Sequence, residues 1–218
     1  LGISESKIIP IPNGIEKKKF TQMEETKRDI NKKIYLLSVA RFAKEKKGFD
    51  LIPLIAKLLN EKKIDFQWTI VGYNSKYIRK IENMESFDKN FKYLENINNL
   101  EEKFFPHNSL IKVYKNNHVY INLARIESFG ITIMEALASG LPVITFDTKG
   151  GNELIKDDHN GIITKSFSPE QIVHAISQYY KNFDLYEKHK KNTIKSIENF
   201  DLSMITQKTI EGYKEIIG

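Results

Sequence analysis

Residues 125–140 read RIESFGITIMEALASG, and this stretch decides the fold. An apolar run of strand length, His118 to Ala124, leads into it, and another, Pro142 to Phe146, follows it. Between the two lie a tight loop carrying a carboxylate and an apolar helix with a second carboxylate inside it, closed by Gly140. A strand, loop, helix, strand unit belongs in a parallel sheet, where ligands bind at the loops on the carboxyl ends of the strands. Ser128, Phe129 and Gly130 stand where the helix begins. Backbone N–H groups there have no partner within the helix and face outward at the positive end of its dipole, which makes a seat for a phosphate.

Two glutamates are out of place in this setting. Glu127 precedes the anion seat, and Glu135 lies among Ile131, Ile133, Met134, Leu137 and Leu141. A carboxylate next to a bound phosphate is repelled, and one on a buried helix face must be hydrogen-bonded, so sugar or ribose hydroxyls are natural partners. The plainer alternative is that Glu135 faces solvent and Glu127 only complements the helix dipole.

Working outward, Lys33 to Ala40 (KIYLLSVA) is a second continuous apolar strand. Its loop, RFAKEKKG, leads to a helix at Phe49 to Leu59 with apolar residues at Leu51, Ile52, Ile55, Leu58 and Leu59. Arg41 and Lys47 can converge at this strand end and suit a diphosphate, Arg as a two-toothed donor and Lys as a point charge. Lys46 is the rival of Lys47, and a solvated charge run at Lys44, Lys46 and Lys47 is the bland reading. Further strands are expected at Phe66 to Gly72, Phe91 to Ile97 and Ile162 to Thr164, and helices at His107 to Lys115, Gln171 to Lys181, Leu185 to Glu198 and Leu202 to Ile217. Ser168-Pro169 reads as a helix start, with a capping serine and proline at the first position. The alternation predicts an α/β fold, a doubly wound, Rossmann-like parallel sheet of about six strands.

The pattern Glu127, seven residues, Glu135, with Phe129-Gly130 between and Ala136, Ala138, Gly140 and Pro142-Val143 after, resembles the donor-site motif of retaining GT-B glycosyltransferases of family 4, the glycosyl transferases group 1. Asn13-Gly14 and the Arg and Lys of RFAKEKKG are similar to that family as well. The resemblance implies the carboxy-terminal, donor-binding half of a GT-B fold. It implies an interdomain hinge and linker at 1–32, a nucleotide-sugar domain at 33–200, and a terminal helix at 201–218 that packs back on an absent amino-terminal domain. Arg41, Lys47 and Glu127 take the catalytic roles, and Ser128, Phe129, Gly130, Ile131 and Glu135 bind the donor, with Glu135 on the ribose. Tyr73, in the Gly72-Tyr73-Asn74 turn, narrows the pocket, and the loop at Ile97 to Asn99 holds the base. The implied activity is transfer of a hexose from a nucleotide-diphosphate sugar, a UDP-sugar first, to a glycan or lipid-linked acceptor of cell-envelope type. The fragment alone is expected to be inactive. A nucleotide-sugar epimerase or a non-catalytic nucleotide-sugar-binding subunit is the alternative on the same fold.

Composition narrows the partners. With 218 residues, 40% of them apolar, the chain can build a sizeable core. No cysteine is present, and the five histidines, His107, His118, His159, His174 and His189, lack ligand spacing. No Asp-x-Asp pair occurs, so a metal-independent site with no cofactor is expected. The formal charge of +6 is spread along the chain with acidic residues among the lysines, which argues against nucleic acid while leaving room for peripheral association with an anionic membrane face. No stretch approaches the ~20 apolar residues of a membrane span and no signal-peptide pattern opens the chain, so a cytoplasmic protein is expected.

Overall fold

The computed structural model describes residues 8–40, 45–72, 84–95 and 106–217. Six strands form one sheet: β1 (Ile34–Val39), β2 (Phe66–Val71), β3 (Phe91–Leu94), β4 (Val119–Asn122), β5 (Val143–Phe146) and β6 (Gly161–Thr164). Every neighbouring pair is parallel and the order across the sheet is β3-β2-β1-β4-β5-β6. This is the doubly wound order of the dinucleotide-binding fold, as the alternation of elements predicts.

The strands read as continuous apolar runs because both faces are covered. In β1, Ile34 and Leu36 face a core shared with Ile52 and Ile55 of α2 (Ile52–Glu61) and Ile172 and Ile176 of α6 (Pro169–Lys181). Leu37, one residue out of step, faces the other core, with Phe20 of α1 (Lys17–Thr21), Tyr114 of α3 (Asn108–Lys115) and Met134 and Leu137 of α4 (Ile131–Ala138). The period of two along the strand therefore sorts side chains into two hydrophobic layers. Trp68, fully buried at the centre of β2, stays satisfied: its indole N–H donates to the Ser38 hydroxyl at 3.1 Å, and Ser38 donates on to the Ile121 carbonyl at 2.7 Å.

Boundaries differ from the sequence reading for local reasons. The helix expected from Phe49 begins as a 3-10 turn, Phe49–Leu51, and turns α-helical only at Ile52. Pro53 has no N–H to donate to the carbonyl four residues back, so the α-pattern cannot start there. Ser168 caps α6 as expected, accepting from the Gln171 N–H with Pro169 at the first position. The charged segment after Asn13-Gly14 folds in part: α1 forms within it and buries Phe20 completely. Between β5 and β6 runs α5 (Lys149–Leu154), and α7 (Phe183–Ser196) and α8 (Leu202–Ile217) close the chain. The outer stripe of α8, Ile210, Tyr213, Ile216 and Ile217, is exposed. The strand expected to Ile97 is described as far as Leu94. Tyr73, Asn74 and Ile97 to Asn99 lie outside the described residues.

His118, buried just before β4, accepts the Tyr35 N–H at its Nδ1 at 3.2 Å and sets its ring edge-on to Tyr35. Burial holds its pKa down at about 4. Between about pH 6.5 and 4 the unfolded chain therefore takes up a proton that the folded chain resists, and stability present above pH 6.5 is lost as the pH falls. Unfolding free energies from urea titrations at pH 7 and pH 4.5 should differ by about 2 kcal/mol more for the natural chain than for His118→Asn; equal differences would contradict this.

Candidate functional site

An open parallel sheet binds ligands where the strand order reverses, because the loops leaving the two central strands diverge to opposite faces and open a crevice. Here the reversal falls between β1 and β4, and the crevice is a cavity of about 410 Å³ lined by Asn13, Val39, Ala40, Lys47, Glu127, Ser128, Phe129, Gly130, Ile131 and Thr132. That volume is within the usual ~300–1,000 Å³ of small-molecule sites. A smaller cavity near Arg28, Tyr35 and Asn116, about 100 Å³, is too small for a nucleotide.

Lys47 and Glu127 meet across the mouth. The ammonium donates to Glu127 Oε2 at 2.9 Å, with the side chains 27% and 12% exposed. Eighty residues separate them in sequence; the parallel pairing of β1 with β4 brings their loops side by side. Lys46, the rival, is exposed and outside the lining of the cavity. Arg41 lies outside the described residues.

Beyond Glu127 the chain enters α4 through Gly130, which caps it in a left-handed conformation. Cavity-lining residues 128–132 therefore present the first-turn N–H groups of α4, which the helix itself leaves unpaired. The loop is held from behind by α5: the Gly150 N–H donates to the Glu127 carbonyl at 3.0 Å. A Cβ at Gly150 would come within 2.5 Å of the Phe129 nitrogen, so this glycine is required by close approach.

Glu135 does not line this cavity. It is 2% exposed, and the Tyr114 hydroxyl donates to its Oε2 at 2.8 Å. The solvent-facing alternative for Glu135 thus fails, and the hydrogen-bonding partner that a buried carboxylate requires is a tyrosine. Burial raises the Glu135 pKa to about 7, with the Tyr114 bond opposing. Glu135 sits one turn along α4 from Ile131 and Thr132, which do line the cavity. A neighbouring chain of bonds steadies Thr132: Tyr120 donates to its hydroxyl at 2.8 Å and lies 3.1 Å from the Val39 carbonyl.

The sequence reading missed Tyr114, Thr132 and Asn13 as parts of the site. Tyr114 sits on the inner face of an amphipathic helix, where an aromatic residue signals only core. Asn13 was legible as a turn; its place at the cavity comes from Gly14, which packs on Leu202 and Ile205 of α8, and from Ile15, which bonds to Phe200 and Leu202. Among the described residues no group of three His, Asp or Glu side chains is placed to hold a metal ion, and no helix is long and apolar enough to cross a membrane.

The family model "Glycosyl transferases group 1" matches residues 20–196. The GtfA subunit of the UDP-N-acetylglucosamine–peptide N-acetylglucosaminyltransferase of Streptococcus agalactiae is 30% identical over 183 residues, 74% of this chain and 36% of that protein. Among solved structures, a glycosyltransferase from Rickettsia africae ESF-5 superposes with a TM-score of 0.81 at 22% identity, over 99% of this chain and 59% of that one. The pneumococcal O-GlcNAc transferase GtfA, in complex with UDP and GlcNAc, superposes with a TM-score of 0.69 at 23% identity, over 95% of this chain and 38% of that one. The chain thus spans about a third of the length of that curated relative, and at these identities the two structures speak for the fold alone.

The raised pKa of Glu135 has a testable sign. Its folded value of about 7 exceeds the ordinary 4.5, so its contribution to stability is full below pH 4.5 and is lost as the pH rises through 7. Melting temperatures should therefore show Glu135→Gln gaining on the natural chain between pH 5 and pH 8. A constant difference would mean that Glu135 is ionised throughout.

Proposed function

This chain belongs to the glycosyl transferases group 1 family, and we propose that it forms the donor-binding part of a retaining hexosyltransferase that uses a nucleotide-diphosphate sugar. The observation that carries the reading is the Lys47–Glu127 pair at the mouth of the β1/β4 cavity, beside the free amino end of α4. One cation, one helix terminus and one carboxylate at a single crevice match the needs of a sugar diphosphate, which carries anionic oxygens on one side and hydroxyls on the other. UDP is the proposed nucleotide, in keeping with the names of the S. agalactiae and pneumococcal relatives.

In this reading the diphosphate lies against the first turn of α4 and Lys47 turns from Glu127 to its oxygens. Arg41 adds a second cation, and the three together take the charge that develops as the bond between the anomeric carbon and the phosphate oxygen breaks. No metal is needed for that role. Glu127, released from Lys47, accepts from the hydroxyls of the sugar. Glu135, buried and outside the cavity lining in this structure, is proposed to offer the carboxylate oxygen that Tyr114 leaves free to the ribose diol once a nucleotide is bound. The departing phosphate takes the proton of the acceptor hydroxyl, which forms its new bond to the anomeric carbon on the same face, so the configuration is retained. A glycan or lipid-linked acceptor of the cell envelope is proposed, bound by parts of the enzyme other than this cavity and met in the cytoplasm at the inner face of the membrane.

Calorimetry separates these roles. Lys47→Ala and Arg41→Ala should each weaken UDP by about 1.5 to 3 kcal/mol, the size of a charge-assisted hydrogen bond, and leave uridine almost unchanged. An equal loss for both ligands would remove the diphosphate assignment.

Glu127→Gln should leave UDP as tight as before or tighter, since a charge beside the phosphates is gone, and should weaken UDP-glucose or UDP-GlcNAc by about 1 to 3 kcal/mol. Glu135→Gln should weaken UDP and UDP-sugar alike. If both substitutions lower the melting temperature and keep the ratio of the two affinities, the glutamates are structural.

A further inference from the structure

Arg125 stands two residues before Glu127, in the loop that leaves β4, and by charge alone it would count as another diphosphate ligand. Its bonds say otherwise. The guanidinium grips Asp50 with both arms, Nη1 to Oδ1 at 2.8 Å and Nη2 to Oδ2 at 2.7 Å, and Nη1 also donates to the Glu45 carbonyl at 2.6 Å. The backbone N–H of Arg125 donates to the Lys46 carbonyl at 3.1 Å. Every one of these bonds ends on residues 45–50, the segment that carries Lys47.

A second fastening lies beside the first. Gly48 adopts φ +68°, and a Cβ there would fall 2.0 Å from the Leu123 carbonyl oxygen, so the segment lies directly on the end of β4. Lys47 is bracketed by these fastenings: Glu45 and Lys46 are held from one side, Gly48 and Asp50 from the other. Isolated ion pairs at a surface contribute little, but a two-toothed Arg–carboxylate pair at about one-quarter exposure keeps a fixed planar geometry. The lysine stem is flexible and surrenders rotational freedom whenever its ammonium is held at a ligand, so anchoring its backbone reduces what binding must order.

We propose that Arg125 and Asp50 act as a positioning clamp that holds Lys47 at the cavity mouth and thereby sets the affinity for a nucleoside diphosphate, without themselves touching it. The proposal rests on the assignment of Lys47 to the diphosphate. It explains why the fork of an arginine is used: a lysine at position 125 would keep the charge and lose the two parallel bonds and the bond to Glu45.

The test is a double-substitution cycle read by calorimetry with UDP and with uridine, on the natural chain, Lys47→Ala, Arg125→Lys, Asp50→Asn and the combined Lys47→Ala/Arg125→Lys. Arg125→Lys and Asp50→Asn should each weaken UDP about tenfold, the equivalent of one charge-assisted hydrogen bond, with uridine unchanged. In the Lys47→Ala background the Arg125→Lys substitution should change UDP affinity less than about twofold, because the residue being positioned is gone. An equal tenfold loss in both backgrounds would overturn the clamp and make Arg125 a direct ligand. No loss from Arg125→Lys or Asp50→Asn, with Lys47→Ala still weakening UDP, would overturn the clamp and leave the diphosphate assignment standing. A Lys47→Ala protein that binds UDP normally would overturn both. Should Arg125→Lys fail to fold, Asp50→Asn, alone and combined with Lys47→Ala, carries the same cycle.

Discussion

The pairing of β1 with β4 is the constraint on which the rest depends. Through Leu36 with Val119 and Leu37 with Tyr120, it sets side by side two strands that are not consecutive in the chain, with two others intervening. Because the sheet is parallel, the loops leaving both strands emerge at the same edge, and because the strand order reverses there, their helices depart to opposite faces. The cavity is what remains between them. Lys47 arrives from one side and Glu127 from the other, and neither side alone would make a site.

The two faces carry different burdens. The face covered by α2 and α6 is largely apolar, and polar groups within it, Trp68 with Ser38 and Tyr179 with His189, are closed by hydrogen bonds. Under α4, on the other face, a carboxylate, two tyrosines and a threonine are held in a hydrophobic setting. Burying such groups costs stability unless each is bonded. Here Glu135 is bonded to Tyr114 and Thr132 to Tyr120. On the α4 face these bonded polar groups lie directly beneath the cavity.

The loops at the cavity are held by backbone as much as by side chains. Gly150 lets α5 press against the peptide that follows Glu127, and Gly48 lets the Lys47 segment press against the end of β4. Arg125 and Asp50 tie the same two loops by their side chains. A site so fastened presents its groups with little left to order when a ligand arrives.

What the sequence by itself determined was local. Apolar runs and helical spacing marked all six strands and the main helices, Ser168-Pro169 marked the start of α6, and the Glu127–Glu135 pair singled out the α4 loop as the candidate site. These signals lie within a few turns of chain and follow from backbone periodicity and capping. The tertiary structure alone decided which strands are neighbours, and with them that Lys47 meets Glu127 eighty residues away, that Arg125 is taken up by Asp50 seventy-five residues away, and that Tyr114 covers Glu135. Such pairings arise from the sheet order, which brings distant loops together, and no local spacing of residues encodes which distant partner a charged side chain will find.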